Sequence, residues 1–174
     1  TASVSLSSVS ITGNVVNSAS TTTQGGVLIN GGAVSITGST VSGNIPNPAS
    51  TQGSLRISTT GAVTISGTVF DSNNTATASQ YRSVEVLGNA SNVNISDSAF
   101  TNNKFGGALA IRANAASLTN SYFANNTASK TLPAAYAPAL SGIAGGAAIV
   151  STGSGILTIN GSVFVNNSLA SVST

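Results

Sequence analysis

One short phrase recurs six times along this chain with fixed internal spacing, and that recurrence constrains the fold more than any other feature. The copies read VSITGSTVSGN from Val34, AVTISGTVFDSN from Ala62, NVNISDSAFTNN from Asn92, ASLTNSYFANN from Ala116 and ILTINGSVFVNN from Ile156, with a worn first copy, SVSITGNVVNS, from Ser8. A unit this short cannot bury its apolar residues by itself. Stacking it on copies of itself can, and that is the signature of a solenoid.

Aligned on its aliphatic anchor, the phrase starts from Ile11, Ile36, Ile65, Ile95, Leu118 and Ile159. Two residues on stand Gly13, Gly38, Gly67, Asp97, Asn120 and Gly161. These residue types tolerate positive φ, so the column reads as a left-handed turn. Five residues after the anchor come Val16, Val41, Phe70, Phe100, Phe123 and Phe164, a second column of inward bulk. Eight after it come Asn44, Asn73, Asn103, Asn126 and Asn167, with Ala19 breaking the column in the first copy. Amides stacked at the strand spacing of about 4.8 Å can bond along a ladder or satisfy corner backbone groups, so this column reads as structural.

Upstream of most anchors lies a further strand, usually led by glycine: GGVLI at 25–29, GSLRI at 53–57, SVEV at 83–86, GGALAI at 106–111 and GGAAIV at 145–150. The expected fold is therefore all-β: a right-handed, single-stranded parallel β-helix of about six coils, with three short strands per coil. The hand follows from the chirality of parallel crossovers. Residues 1–174 read as a single domain, a rod of roughly 30 Å at one strand spacing per coil.

Composition decides between order and disorder. Only 5% of residues are charged, as in a disordered Ser/Thr tract, but 40% are hydrophobic and the aliphatics are periodic, so the chain folds. The net charge of +2 is scattered singly, which gives nucleic acid no basic patch to meet. No run of about 18 apolar residues is present, so this segment is not expected to insert in a membrane.

The usual catalytic groups are missing. With no His and no Cys, common general bases, thiol nucleophiles and soft metal ligands are absent. Glycoside hydrolysis needs two carboxylates astride a bond, and the chain has three acids in all. Asp97 falls in the turn column, Glu85 is expected in a surface ion pair with Arg56 of the preceding coil, and Asp71 stands alone. No acidic cluster invites Ca²⁺. The expectation is a protein that is not an enzyme and needs neither cofactor nor metal.

The GGA-aliphatic element at Gly106–Leu109 and Gly145–Ile149, paired with FxxN at Phe70–Asn73, Phe100–Asn103, Phe123–Asn126 and Phe164–Asn167, resembles the repeat of the polymorphic outer membrane protein family. The resemblance covers about residues 53–167; the first two copies carry Val where the family has Phe. It implies an autotransported surface adhesin built as a β-helix.

Function in a solenoid gathers where copies differ. Anchor spacings of 25, 29, 30, 23 and 41 residues put the extra length at one corner, in segments 45–52, 74–82 and 127–144. There Tyr81, Arg82, Lys104, Lys130 and Tyr136 set aromatics beside cations, which suits surface glycans; the plainer reading is that the loops fold over the coil. The outward residues of the anchor strand make a second surface: Ser35, Thr37, Thr64, Ser66, Asn94, Ser96, Ser117, Thr119, Thr158 and Asn160, with Ser10 and Thr12 taken as the first pair. Such a face could order water as ice-binding solenoids do, pack against another rod, or be no more than an exposed strand. Among six N-x-S/T sequons, Asn89 and Asn125 lie nearest turns and are the better N-glycosylation candidates.

Neither end shows a capping pattern, so the segment reads as part of a longer solenoid or as a filament subunit that self-associates end to end or side by side. The expected role is a non-catalytic structural or adhesive protein of the cell surface or extracellular space, within a fibre, stalk or filament. The alternative is an ice-binding or glycan-binding solenoid.

Overall fold

The structure, a computed structural model, describes residues 2–15, 26–46, 53–73, 82–128, 147–152 and 155–169. It is a parallel β-helix with three walls. The first wall stacks β1 (Val4–Ser7), β4 (Val34–Thr37), β7 (Val63–Ser66), β10 (Val93–Ser96), β13 (Ala115–Thr119) and β17 (Ile156–Asn160). The second stacks β2 (Ser10–Thr12), β5 (Thr40–Ser42), β8 (Val69–Asp71), β11 (Ala99–Thr101), β14 (Tyr122–Ala124) and β18 (Val163–Val165). The third holds β3 (Val27–Gly31), β6 (Leu55–Thr59), β9 (Val84–Ala90), β12 (Leu109–Ala113) and β16 (Ile149–Ser151). Strands β15 (Thr127–Ala128) and β19 (Ser168–Leu169) pair beside them.

Each strand alternates because one face of every wall points inward. Val34, Ile36, Val63, Ile65, Val93, Ile95 and Leu118 line the first wall from within, and Leu55, Ile57, Val84, Val86, Leu109 and Ile111 the third. The second wall contributes Val41 and the phenylalanines. Rings 70, 100, 123 and 164 stack at centroid distances of 4.7, 4.6 and 4.9 Å with interplanar angles of 16°, 2° and 8°. Strand spacing exceeds the roughly 3.5–4.0 Å of ideal carbon contact, so near-parallel rings must slide into offset stacks, the arrangement aromatic pairs prefer.

Two columns of left-handed backbone turn each coil. The expected one holds Ser8, Gly38, Gly67, Asp97, Asn120 and Gly161, with φ between 49° and 57°. A second, not anticipated, lies between the second wall and the Asn ladder at Gly13, Gly43, Ser72, Asn102, Asn125 and Asn166. The strand-leading glycines answer a different need. A Cβ on Gly53 would stand 1.7 Å from the Arg82 carbonyl oxygen, so there the next coil's backbone leaves no room for a side chain.

The first coil differs from the sequence expectation. Leu6, not Ile11, is its anchor, because β1 pairs with β4 through Val4↔Val34 and Leu6↔Ile36. Ile11 pairs with Val41 and so belongs to the phenylalanine column, Gly13 to the second left-handed column, and Asn14 completes the Asn column. Ser10 and Thr12 leave the first wall, and their places go to Ser5 and Ser7. Val16 and Ala19 lie outside the described residues. With this register the coils are 30, 29, 30, 23 and 41 residues long.

Glu85 corrects a second expectation. It sits in register with Arg56 on the outer side of the third wall, yet it is fully buried, so no solvent-exposed ion pair forms there. Leu87, Ala110 and Val150 form a small buried cluster on that same outer side. The outer side of this wall is thus buried at Glu85, Leu87, Ala110 and Val150, while Asn30 stays exposed and Arg56 half-buried.

Candidate functional site

Three surfaces remain where chemistry or recognition could occur: the outer face of the first wall, the variable corner, and the open end beyond β17 and β18.

The first-wall face carries two columns, Ser5–Ser35–Thr64–Asn94–Ser117–Thr158 and Ser7–Thr37–Ser66–Ser96–Thr119–Asn160, set by continuous parallel register. None of these side chains is charged, and all are exposed or half-buried. The rows repeat about 4.8 Å across strands and about 6.6 Å along them. Ser117 Oγ donates to Asn94 Oδ1 at 2.8 Å, so part of the face is already bonded to itself.

The corner keeps less of its expected chemistry. Arg82 is fully buried and donates from Nη1 to the Gly106 carbonyl, so it is not exposed to meet a glycan. Lys104 is exposed, next to Phe105, whose φ of 62° marks a tight turn closed by Gly106 N donating to the Lys104 carbonyl at 2.7 Å. Tyr81, Lys130 and Tyr136, with most of the three corner segments, lie outside the described residues. The structure therefore does not assemble an aromatic–cation cluster from the residues it describes.

The interior behind that corner is a directional polar ladder. The backbone N–H and Nδ2 of each Asn donate to Oδ1 of the Asn in the next coil, from Asn14 through Asn44, Asn73, Asn103 and Asn126 to Asn167, at 2.8–3.2 Å. The second Nδ2 proton goes back to a carbonyl of the preceding coil: Ile11, Val41, Phe70, Phe100 and Phe123 accept in turn. Asn44, Asn73, Asn103 and Asn126 are buried, so this pairing satisfies groups that would be costly to leave open.

A second ladder escaped the sequence reading. Ser39, Thr68, Ser98 and Ser121 are buried at the first corner and continue to Ser162. Each hydroxyl donates to the carbonyl two residues back and accepts the backbone N–H of the preceding coil. In a chain so rich in Ser and Thr, only strict recurrence three residues past the anchor could have flagged them.

Asp71 is not alone as expected. Its Oδ1 accepts from Thr101 and from Asn102 Nδ2, and its Oδ2 from Ser72 Oγ at 2.7 Å. Partial burial pushes its pKa up, but the hydrogen bonds from Thr101, Asn102 and Ser72 outweigh that and hold it below the ordinary aspartate value. Asp97 occupies its left-handed turn at φ 50°. Among the described residues no group of three or more His, Cys, Asp or Glu gathers to hold a metal. The sequons at Asn89 and Asn125 are both exposed on left-handed turns, and Asn89 rides a bulge that β9 carries relative to β12. Asn73 belongs to the buried ladder.

At the open end the interior reaches solvent. Ile159 is 44% and Phe164 43% exposed, whereas Ile95 and Phe100, both two levels inside, are at most 1% exposed. An open hollow of about 540 Å³ is lined there by Ile149, Leu157, Ile159, Phe164 and Asn167 among others. On the second wall, Val69, Tyr122 and Val163 form an exposed apolar column that the sequence reading did not single out. Comparison with family models, curated proteins and solved structures found no match for this chain.

Proposed function

We propose that this chain is a non-catalytic structural or adhesive module of the cell surface or extracellular space, a stiff rod segment that works by self-association. The observation that carries this reading is the uninterrupted stacking, in which the Asn ladder and the ring column pass from coil to coil without a break among the described residues. The columns that are sealed in the middle coils lie open at Ile159 and Phe164, and Ile156 is 78% exposed. Exposed interior columns of this kind favour a further coil against them, since stacking is how each earlier coil buries its own. Continuous ladders through six levels make the rod stiff, and the scarcity of charge leaves few ions to desolvate when rods meet. The repeat's resemblance to the polymorphic outer membrane protein type supports a surface location.

Sedimentation velocity across a hundredfold concentration range, with electron microscopy of the same samples, tests the reading. Concentration-dependent species and rods longer than one chain are expected. A single sedimenting species at every concentration would contradict it.

A second reading has one observation in its favour, the uncharged hydroxyl and amide columns of the first wall. A regular grid of short polar groups can order water, which would make the module ice-binding. Thermal hysteresis lost in Thr64→Lys and Ser96→Lys variants would support that reading, and no hysteresis in the parent chain would remove it. Among the described residues, glycan binding at the corner loses Arg82 and keeps Lys104. N-linked sugar at Asn89 or Asn125 would raise the mass of a secreted preparation above 16.9 kDa.

A further inference from the structure

One turn of the variable corner is built against its own backbone preference. We infer that Lys104 and Phe105, which that turn holds at the surface, form a contact site for an acidic sugar, the carboxylated pyranose of a uronic-acid polysaccharide. This rests on the adhesive part of the proposed role, whose ligand class it names, and is independent of self-association.

Phe105 has φ 62° and is the central residue of a three-residue turn, closed by Gly106 N donating to the Lys104 carbonyl at 2.7 Å. With positive φ this is the rare and strained form of the γ-turn. Every other non-glycine at positive φ among the described residues is Ser, Asn or Asp, so a bulky ring there is an outlier. Glycine takes this conformation freely, and Gly106 and Gly107 stand next in the chain, yet the strained place goes to Phe. The core does not explain the choice. Phe105 is half-buried, lies outside the hydrophobic core and stacks on no other ring among the described residues. Strain that a rigid surround sustains marks a place where a side chain is wanted for contact.

The surround is rigid here. Lys104 N donates to the Asn73 carbonyl at 3.2 Å, Gly107 N donates to the Thr127 carbonyl at 2.9 Å, and Gly106 bridges to Ala128. Buried Arg82 donates to the Gly106 carbonyl, which pins the turn from a second side chain. The coil is also the shortest, 23 residues from Asn103 to Asn126. Gly106, Gly107 and Ala108 are buried, so Lys104 and Phe105 are what the turn shows to solvent. Lys104 makes no ion pair among the described residues. A pyranose has apolar C–H faces that lie on an aromatic ring, and a uronic acid adds a carboxylate for the ammonium to meet. An acidic peptide would engage Lys104 and leave the strained ring without a role. Because the pair is held in place beforehand, binding spends little on ordering it, and a polymeric ligand adds avidity to a weak single contact.

The test is a titration of the dilute full chain with galacturonate trisaccharide to millimolar concentration, followed by amide-resolved NMR. Shifts are expected at Lys104, Phe105 and Gly106, with galactose trisaccharide giving a much smaller response. Phe105→Gly should weaken galacturonate binding by about tenfold or more while its melting temperature stays level or rises, because the strain is released. Lys104→Gln should weaken galacturonate binding by about tenfold and leave the response to galactose unchanged. Absence of shifts at the corner would overturn the site, whatever sedimentation shows about self-association. A lower melting temperature for Phe105→Gly would make the ring structural and overturn the inference as well. Equal shifts with a triglutamate peptide would overturn the ligand class, leaving a bare anion contact at Lys104.

Discussion

Phe100 and Phe164 fill the same column, yet one is sealed and the other is 43% exposed. Asn103 and Asn167 make the same pair, one with the full set of ladder bonds and one with donors left over. The residue type is the same in each pair, so the difference lies in the neighbour. Most of what a side chain contributes in this fold comes from the coil above and the coil below. An end coil therefore carries a surface that another coil would complete.

The comparison can be broken most sharply in the ladder. Asn103→Leu removes the acceptor for Asn73 N–H and Nδ2 and the donors to the Phe70 carbonyl and to Asn126, all of them buried. A loss of roughly 4–6 kcal/mol is expected, enough to unfold the middle coils. Asn167→Leu should cost on the order of 1 kcal/mol under conditions where the chain is monomeric. Urea unfolding at low protein concentration measures both, and equal losses would refute the neighbour argument.

The ring column should behave in the same way with a smaller spread. Phe100→Ala is expected to cost about 3–5 kcal/mol through cavity and lost stacking, and Phe164→Ala about 1–2 kcal/mol. Smaller still is the turn column. Asp97→Ala should lose about 1–2 kcal/mol, because an ordinary side chain is strained at φ 50°, while Asp97→Gly should be neutral or stabilising by under about 1 kcal/mol. Thermal melts of the two variants should move in opposite directions from each other, and a shared shift would show that the Asp97 side chain matters more than its backbone.

The smallest expected effect is one of pH. Asp71 has a folded-state pKa below its ordinary value, so it adds stability above the unfolded pKa and loses it as pH falls through the folded one. The urea midpoint of the parent chain should therefore drop between about pH 5 and pH 2 by more than that of Asp71→Asn. Identical pH profiles would mean that the Ser72, Thr101 and Asn102 hydrogen bonds do not favour the charged form.

Much of this architecture was legible in the residues, because stacking demands the same property at the same offset in every coil. Anchors, left-handed turns and amides stood out in five copies, and rings in four. The first copy slipped by five residues for a physical reason. The string VSITG occurs at 9–13 and again at 34–38, once in the second wall and once in the first. Both walls need alternation followed by a left-handed residue, so local pattern could not tell them apart; only the 30-residue register to Leu6 does. The buried hydroxyl ladder was hidden by abundance, as Ser39 and Ser121 look like any surface Ser. Burial of Glu85 and Arg82 was illegible because alternation puts Glu85 on an outer face and says nothing of Arg82, which precedes β9. Of the surfaces considered for function, the first-wall columns have the expected register from Ser35 onward, while Arg82 at the corner is buried.

The central claim is that each coil is stabilised by the coils above and below it, and amide hydrogen exchange tests it most directly. Protection at the backbone N–H of Asn73 and Asn103 should be high and independent of protein concentration. Protection at Asn167 and Phe164 should be lower, because a coil lies on one side of them only among the described residues. Equal protection of both regions in dilute solution would contradict the account.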